Sequence, residues 1–589
     1  MNKNSFFCIQ SILLFIIVCF FNTTNAQTRS RAPGALPPST PKAVFADGSF
    51  ENGMDKWSFW QNSPKLGSYA ITDHKPHSGK KCIKLTINNV ASEIWHVQLQ
   101  QRNFQIKKNV IYRLSYWARG ENNAGTLEVV FVKGSPPWSY YSGFKSRVTD
   151  KWEKYEMLFT APLTTTDIQL AFQCAHHKGD YFIDDISFVA EDTMALEEMP
   201  KNWYQNAEKR IDQIRKGDFC IKAVDKNGNP CKGPISVKLL KHSFDWGTCL
   251  AFLGGDHEKK YKETALKHFN CGVFENALKW EEFEREEGKP AFADVDRYIK
   301  WSEKNNFPIR GHTLVWGTEN YGFDKHWARL KNDSMFTESI KSRITRDLKR
   351  YKGKIAEYDV WNEPVHEPSI FNRLGNDILD SAFVWANRAD PEAKLYINEY
   401  SIISGTDAKP YRDLVEKLMK KNIPLHGIGI QGHFSTRIDP LDIGAKLSYM
   451  AQTGLPLKIT EFDMDVNALG LSEKEMASEY AKMMRTAFSH PAVTGFLFWG
   501  FWDNRHWRPG AGLYDKDFRP KAAADSVYNL IHKVWTTSDT LEPDSTGKIE
   551  FRGFFGEYAF TVKDSPKSQK TVKVNFSENS KKEQILNFQ

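Results

Sequence analysis

Two stretches of the chain carry a glutamate just past an apolar run: Tyr358-Asp359-Val360-Trp361-Asn362-Glu363-Pro364 and Leu457-Lys458-Ile459-Thr460-Glu461-Phe462-Asp463. A carboxylate at the end of a buried strand is costly unless it is paired or does chemistry. Two of them across one cleft are what glycosidic bond cleavage requires. One must be protonated to give a proton to the leaving oxygen, and one ionised to attack or to activate water. A structural ion pair would account for either glutamate alone, but not for both at matching positions.

Neighbouring apolar runs end in further polar and aromatic groups. These are Glu275, Asn276 and Lys279; His312 and Trp316; Asn398 and Tyr400; Gln431 and His433; and Trp499, Trp502 and Trp507. Convergent amide, carboxylate and ammonium groups suit a hydroxyl-rich ligand, and aromatic rings suit its C–H faces. The 13% aromatic content agrees with such a ligand. Gly427-Ile428-Gly429-Ile430-Gln431-Gly432 matches G-x-G-x-x-G, but Ile428 and Ile430 continue a strand, which opposes a dinucleotide site. Cys174 with His176-His177 lacks a fourth ligand, so no metal site is expected there.

The elements that must position these groups begin near Phe244, Cys271, Pro308, Ala356, Ala393, Gly427, Leu455 and Val493. Each of these eight short runs is followed by mixed or helical pattern, with apolar residues at helical spacing over 377–388, 411–421 and 472–486. Eight such units predict an α/β fold, a (β/α)8 TIM barrel, whose chemistry sits at the C-terminal ends of its strands.

At 589 residues the chain exceeds one ordinary domain. Lys3, the apolar stretch 11–21 and Thr24-Asn25-Ala26 predict a signal peptide over 1–26, hence a secreted, periplasmic or cell-surface protein. A linker follows over 27–42. Short alternating runs with turn residues between them predict a β-sandwich over 43–190, as in Tyr112-Arg113-Leu114-Ser115-Tyr116-Trp117. Residues 191–242 read as a connector with a helix and a short β-hairpin around Asn227-Gly228, 243–535 as the barrel, and 536–589 as a small C-terminal β segment with a hairpin around Gly556. Six cysteines follow the signal, at 82, 174, 220, 231, 249 and 271; their spacing matches no zinc pattern, and pairing stays open.

The set Glu275-Asn276, Lys279-Trp280, Arg310-Gly311-His312-Thr313-Leu314-Val315-Trp316, Trp361-Asn362-Glu363, Gln431-Gly432-His433 and Ile459-Thr460-Glu461-Phe462-Asp463 strongly resembles glycoside hydrolase family 10, best known for endo-β-1,4-xylanases. The resemblance implies that Glu363 is the acid/base and Glu461 the nucleophile. His433 would hydrogen-bond Glu461, Asp463 would orient His433, and Asn362 would hold the 2-hydroxyl of the reacting sugar. Glu275, Asn276, Lys279, His312, Trp316, Tyr400, Gln431, Trp499 and Trp507 would bind substrate. The chain departs from the family at Gly317, where His is usual, and at Asn398-Glu399-Tyr400-Ser401, where Asn-Asp-Tyr-Asn is usual; both bear on the substrate.

Residues 48–53 with Asp47, His77-Ser78-Gly79-Lys80, and Tyr181-Phe182-Ile183-Asp184-Asp185-Ile186 resemble the jelly-roll carbohydrate-binding modules of families 4, 9 and 22. This implies stacking residues among Trp57, Trp60, Trp95, Trp138, Tyr140 and Tyr141, and a structural calcium. The expected function is a secreted, retaining endo-β-1,4-glycanase, foremost an endo-1,4-β-xylanase acting on plant-wall xylan. The alternatives are a barrel retuned to another β-glycan or to transglycosylation, and a non-catalytic polysaccharide-binding protein. Catalysis is expected to need no cofactor. Net charge is +8 with no run of five basic residues, which argues against nucleic acid as partner. The partner is a polysaccharide, with no membrane once the signal is removed, and the chain is expected to be a monomer.

Overall fold

The structure, a computed structural model, describes residue 44 and residues 48–588, apart from 108–109, 137, 162, 194–201, 252–253, 406, 566–567 and 581–582. The expected signal (1–26) and linker (27–42) lie outside the described residues, as does Asp47. Among the described residues no helix is long and apolar enough to cross a membrane, and Cys82, Cys174, Cys220, Cys249 and Cys271 form no disulfide.

The short alternating runs form ten strands: β1 (Ser58–Gln61), β2 (Gly67–Thr72), β3 (Cys82–Ile87), β4 (Val97–Arg102), β5 (Val110–Glu121), β6 (Thr126–Lys133), β7 (Tyr140–Arg147), β8 (Glu153–Thr160), β9 (Ile168–Gln173) and β10 (Gly179–Thr193). They build two antiparallel five-stranded sheets, β1-β4-β9-β6-β7 and β2-β3-β10-β5-β8. On β5, Tyr112, Leu114 and Tyr116 are buried while Arg113, Ser115 and Trp117 are partly exposed, the period of two that a half-buried strand imposes. Phe131 stacks on Phe159 at 4.3 Å between the sheets. Of the candidate stacking residues, Trp57 belongs to the core, whereas Trp60 and Trp95 are exposed and stack on each other. Glu51 accepts the Lys80 and Lys81 N–H groups, and Asp184 those of His77 and Ser78. Among the described residues there is no group of three or more His, Cys, Asp or Glu side chains that could hold a metal ion.

The eight apolar runs form the barrel: β13 (Asp245–Leu250), β14 (Cys271–Phe274), a third strand split into β15 (Ile309–Arg310) and β16 (Val315–Trp316), β17 (Glu357–Asn362), β18 (Lys394–Glu399), β19 (Gly427–Phe434), β20 (Leu457–Met464) and β21 (Val493–Phe498). The sheet runs β15-β14-β13-β21-β20-β19-β18-β17-β16, all parallel, and the Gly311–Tyr358 bridge joins its ends. Helices Asp377–Ala389, Ala408–Lys420 and Glu473–Phe488 stand where helical spacing predicts them. The last opens on a Ser472/Glu475 capping box, which satisfies its first N–H groups. The G-x-G-x-x-G run lies wholly inside buried β19.

The connector and the C-terminal segment need correction. The helix Trp203–Arg215 is present, and the chain turns at Asn227-Gly228, closing with a Val224–Pro230 bridge. However, β11 (Lys216–Asp225) and β12 (Ile235–His242) do not pair with each other. β11 lies between β23 (Lys548–Phe554) and β26 (Glu583–Phe588), and β12 between β22 (Ser538–Leu541) and β24 (Gly556–Ser565), with β25 (Ser568–Phe576) beyond it. The expected hairpin around Gly556 is likewise absent, since β23 and β24 belong to different sheets; the hairpin is β24–β25. Connector and C-terminal segment are therefore one β unit. Its Phe219, Tyr558, Phe560 and Phe576 bury their rings in a core continuous with that of the barrel.

Candidate active site

Barrel strands point alternate side chains inward and end at one face, so residues at their C-terminal ends meet there. Glu275, Asn276, Lys279, His312, Trp316, Asn362, Glu363, Tyr400, Gln431, His433, Glu461, Trp499 and Trp507 line one open cleft of about 740 Å³. Asp463 stands behind His433.

Glu363 follows β17 with φ +56° and is 8% exposed. A left-handed non-glycine residue is uncommon and concentrates at functional sites. Trp316 Nε1 donates to its Oε2 at 2.6 Å and Gln431 Nε2 to its Oε1 at 2.8 Å. Burial, with the charges of Glu399 and Glu461, lifts its pKa to about 7, against these two hydrogen bonds.

Glu461, on β20, has the opposite surroundings. Asn398 Nδ2 donates to Oε1 at 2.8 Å, and His433 Nε2 lies 3.3 Å from Oε2. His433 Nδ1 lies 3.0 Å from Asp463 Oδ1. Burial opposes the charge on His433, but Asp463 and Glu461 outweigh it and raise the imidazole to about 9. Asp463 is in turn held by Trp507 Nε1 at 2.6 Å, and its carboxyl sits below the usual range because the His433 charge outweighs burial. A protonated histidine and an amide N–H thus face a carboxylate.

One end of the cleft is built by the third strand, with His312 and Trp316, and by the segments after β14 and β21. Lys279 Nζ lies 4.8 Å from the Trp316 ring and 5.8 Å from that of Trp499, and donates to Asn276 Oδ1. Burial raises the Glu275 carboxyl, although Lys279 opposes this. His312 packs edge-on against Trp499 and is held by Asp359 at 2.9 Å. Trp502, by contrast, is buried against Phe518 and does not line the cleft.

Three features escaped the sequence reading. Asn398, read only as a polar strand end, ties Glu461 to Asn362. Gly429 is its signal: a side chain there would overlap the Asn398 side chain. His366 bridges Glu399 Oε1 at 2.8 Å and Asp407 Oδ2 at 3.1 Å and stacks under Tyr400 at 4.0 Å. Burial opposes its charge, but the Glu399 charge and the two hydrogen bonds raise it to about 10. Glu399 also accepts the N–H groups of Val365 and Tyr400, so the departure at this position organises the loop after Glu363. Finally, Gly317 leaves room for that loop: a Cβ there would lie 2.7 Å from the Glu367 carbonyl oxygen, and Ser369 Oγ donates to the Gly317 carbonyl.

A family model described as Glycosyl hydrolase family 10 matches residues 237–530, and one described as Carbohydrate binding domain matches residues 42–178. The chain is 27% identical over 585 residues to Endo-1,4-beta-xylanase 1 of Arabidopsis thaliana, covering 95% of this chain and 60% of that one. It is 30% identical over 320 residues to Beta-1,4-xylanase of Dictyoglomus thermophilum, covering 49% of this chain and 89% of the relative. The solved xylanase 10B from Thermotoga petrophila RKU-1 in complex with xylobiose is 26% identical over 50% of this chain and 95% of that chain, with a TM-score of 0.46. The chain spans about half the length of the curated relatives it matches. With the family model spanning all eight barrel strands, and 30% identity extending over 89% of the Dictyoglomus relative, the chain belongs to glycosyl hydrolase family 10.

Proposed function

We propose that the chain is a secreted, monomeric, retaining endo-β-1,4-xylanase that cleaves plant-wall xylan with Glu363 as acid/base and Glu461 as nucleophile. The observation that carries this reading is the contrast between the two carboxyls. One is buried with its pKa near 7; the other faces Asn398 and a protonated His433. Such divergent environments assign acid and base roles.

In the first step Glu461 attacks the anomeric carbon, the glycosidic bond breaks, and Glu363 gives its proton to the leaving oxygen. Asn398 and His433 hold the Glu461 carboxyl aimed until it attacks. Esterification removes the Glu461 charge. Glu363 then loses one of the influences that raised it and takes a proton from water, which hydrolyses the intermediate with net retention. Asn362, held by Asn398 at 2.8 Å, is placed to bind a hydroxyl of the reacting sugar. The sandwich tethers the enzyme to its polymer.

The test is reducing-sugar release from xylan, mixed-linkage glucan and mannan, with the first-formed anomer read by NMR. Xylan should be preferred and the β-anomer should appear first. Glu461→Ala should abolish turnover. Glu363→Ala should cost about 10²–10⁴-fold on aryl glycosides with poor leaving groups and far less on good ones. An α-anomer appearing first, or equal losses on both leaving groups, would contradict the roles; preference for glucan or mannan would reassign the substrate.

A further inference from the structure

The sandwich reaches into the catalytic cleft. Tyr140, Tyr141 and Ser142 of β7 line the same cavity as Glu363 and Glu461. β7 is an edge strand, bonded only to β6. Its pairing is irregular at the relevant point: Phe131 faces Ser142 while Val132 faces Tyr140, leaving Tyr141 as the extra residue of a bulge. Bulges at sheet edges bend the strand and re-aim its side chains. Here Tyr141 packs on the sandwich core, while the Tyr140 ring remains 62% exposed. The Tyr140 hydroxyl sits among protein atoms near Gly143, and burial and the Asp407 charge raise its pKa.

Charges on the sandwich also act across the seam. Lys145 of β7 acts on Glu367, Glu156 of β8 feels Lys409, and His177 feels Glu319. The sandwich therefore faces the loops after the third, fourth and fifth barrel strands. In the ring order the fourth strand lies opposite the eighth, whose following segment carries Trp499. The end of the cleft facing the sandwich is lined by Tyr400, Ser404, Gly405 and Glu367. An exposed aromatic ring among hydroxyl, amide and carboxylate groups is what a pyranose ring stacks on.

We propose that Tyr140, supported by Tyr141 and Ser142, forms the wall of a sugar-binding subsite at the Tyr400–Ser404 end of the catalytic cleft, so that the sandwich binds part of the same glycan chain that the barrel cleaves. The proposal rests on the reading of the cleft as a β-1,4-xylanase site. It makes the sandwich a determinant of chain-length preference as well as a tether.

The experiment compares full-length wild type, Tyr140→Ala, Tyr140→Phe and Tyr69→Ala on linear xylo-oligosaccharides of increasing length. Tyr69 is an exposed tyrosine on β2, in the other sheet. In Tyr140→Ala the ratio of kcat/KM for the longest to the shortest oligosaccharide should fall about fivefold or more, the loss of one stacking contact. Tyr140→Phe keeps the ring and should keep the ratio, and Tyr69→Ala should leave it unchanged. An unaltered ratio in Tyr140→Ala, or an equal fall in Tyr69→Ala, overturns the subsite and leaves the xylanase reading standing. A wild type that cleaves none of these oligosaccharides overturns the xylanase reading itself, and this proposal with it.

Discussion

Asn398 donates through one amide nitrogen to both Glu461 Oε1 and Asn362 Oδ1, each at 2.8 Å. Its own carbonyl accepts from Thr460 Oγ1 at 2.7 Å, which sets the amide with its nitrogen toward the carboxylate. The side chain occupies space that Gly429, its register partner on β19, leaves open.

Removing this donor should loosen the hold on Glu461 without emptying the cleft. A hydrogen bond to a charged group is worth about 1.5–3 kcal/mol, so Asn398→Ala should lower kcat about tenfold to a hundredfold. Gly429→Ala should lower it in the same direction by displacing Asn398. Steady-state kinetics on an aryl glycoside, with thermal melting as the folding control, decide this. Wild-type kcat in Asn398→Ala would show that His433 alone suffices.

The pH profile follows from Glu363. Its folded-state pKa is raised to about 7, first by burial and then by the Glu399 charge. Activity requires its protonated form, so kcat/KM should be full below that value and fall as pH rises through about 7. In Glu363→Gln, assayed with an aryl substrate whose leaving group needs no proton, the alkaline limb should vanish or move far. Glu399→Gln removes the largest charge acting on Glu363 and should move the limb toward lower pH. A limb unmoved in Glu363→Gln would assign it to another group.

Gly317 should resist restoration of the family's usual histidine. Any Cβ there meets the Glu367 carbonyl at 2.7 Å, and a backbone atom cannot swing aside as a long side chain can. Overpacking of this kind costs about 1–3 kcal/mol. Gly317→Ala should therefore lower the melting temperature, and Gly317→His should lower it further and reduce kcat by displacing the 364–369 loop. Unchanged melting in both variants would show that the loop yields freely.

Lys458 should be a stability residue. It is 2% exposed, and its Nζ contacts Glu357 at 2.6 and 2.8 Å and Asp245 at 2.8 Å. Those carboxylates and Arg310 lie low in the barrel, away from the cleft. Lys458→Ala leaves the partly buried Glu357 paired with Arg310 alone, at 3.0 Å, and should cost about 1–3 kcal/mol, less than a wholly unpaired buried charge, read by denaturant unfolding. Lys458→Ala with Glu357→Gln should recover part of the loss, since the carboxylate that lost one of its two cations is then gone. A loss no larger than that of a surface lysine variant would show that water reaches Glu357.

Local pattern carried much of this protein. Period-two alternation marked β5, eight apolar runs marked the barrel, and a glutamate just past a buried run marked each member of the catalytic candidate pair. These features were legible because burial imposes its period on the residues themselves, and because strand ends of a barrel converge whatever its loops do. Pattern could not choose partners. β11 and β12 read as neighbours across Asn227-Gly228, yet each bonds strands from the far end of the chain. An alternating strand fits any edge of matching length, and the edge it takes is set by packing between residues hundreds of positions apart. The same holds for the loop around Glu363. Gly317, His366, Glu399 and Asp407 are unremarkable one by one, and only their meeting shows why glycine and glutamate stand where the family has other residues. Tyr140 belongs to this second class. Sequence marked it as an aromatic of the sandwich; the seating of β7 at the barrel mouth put it in the cleft.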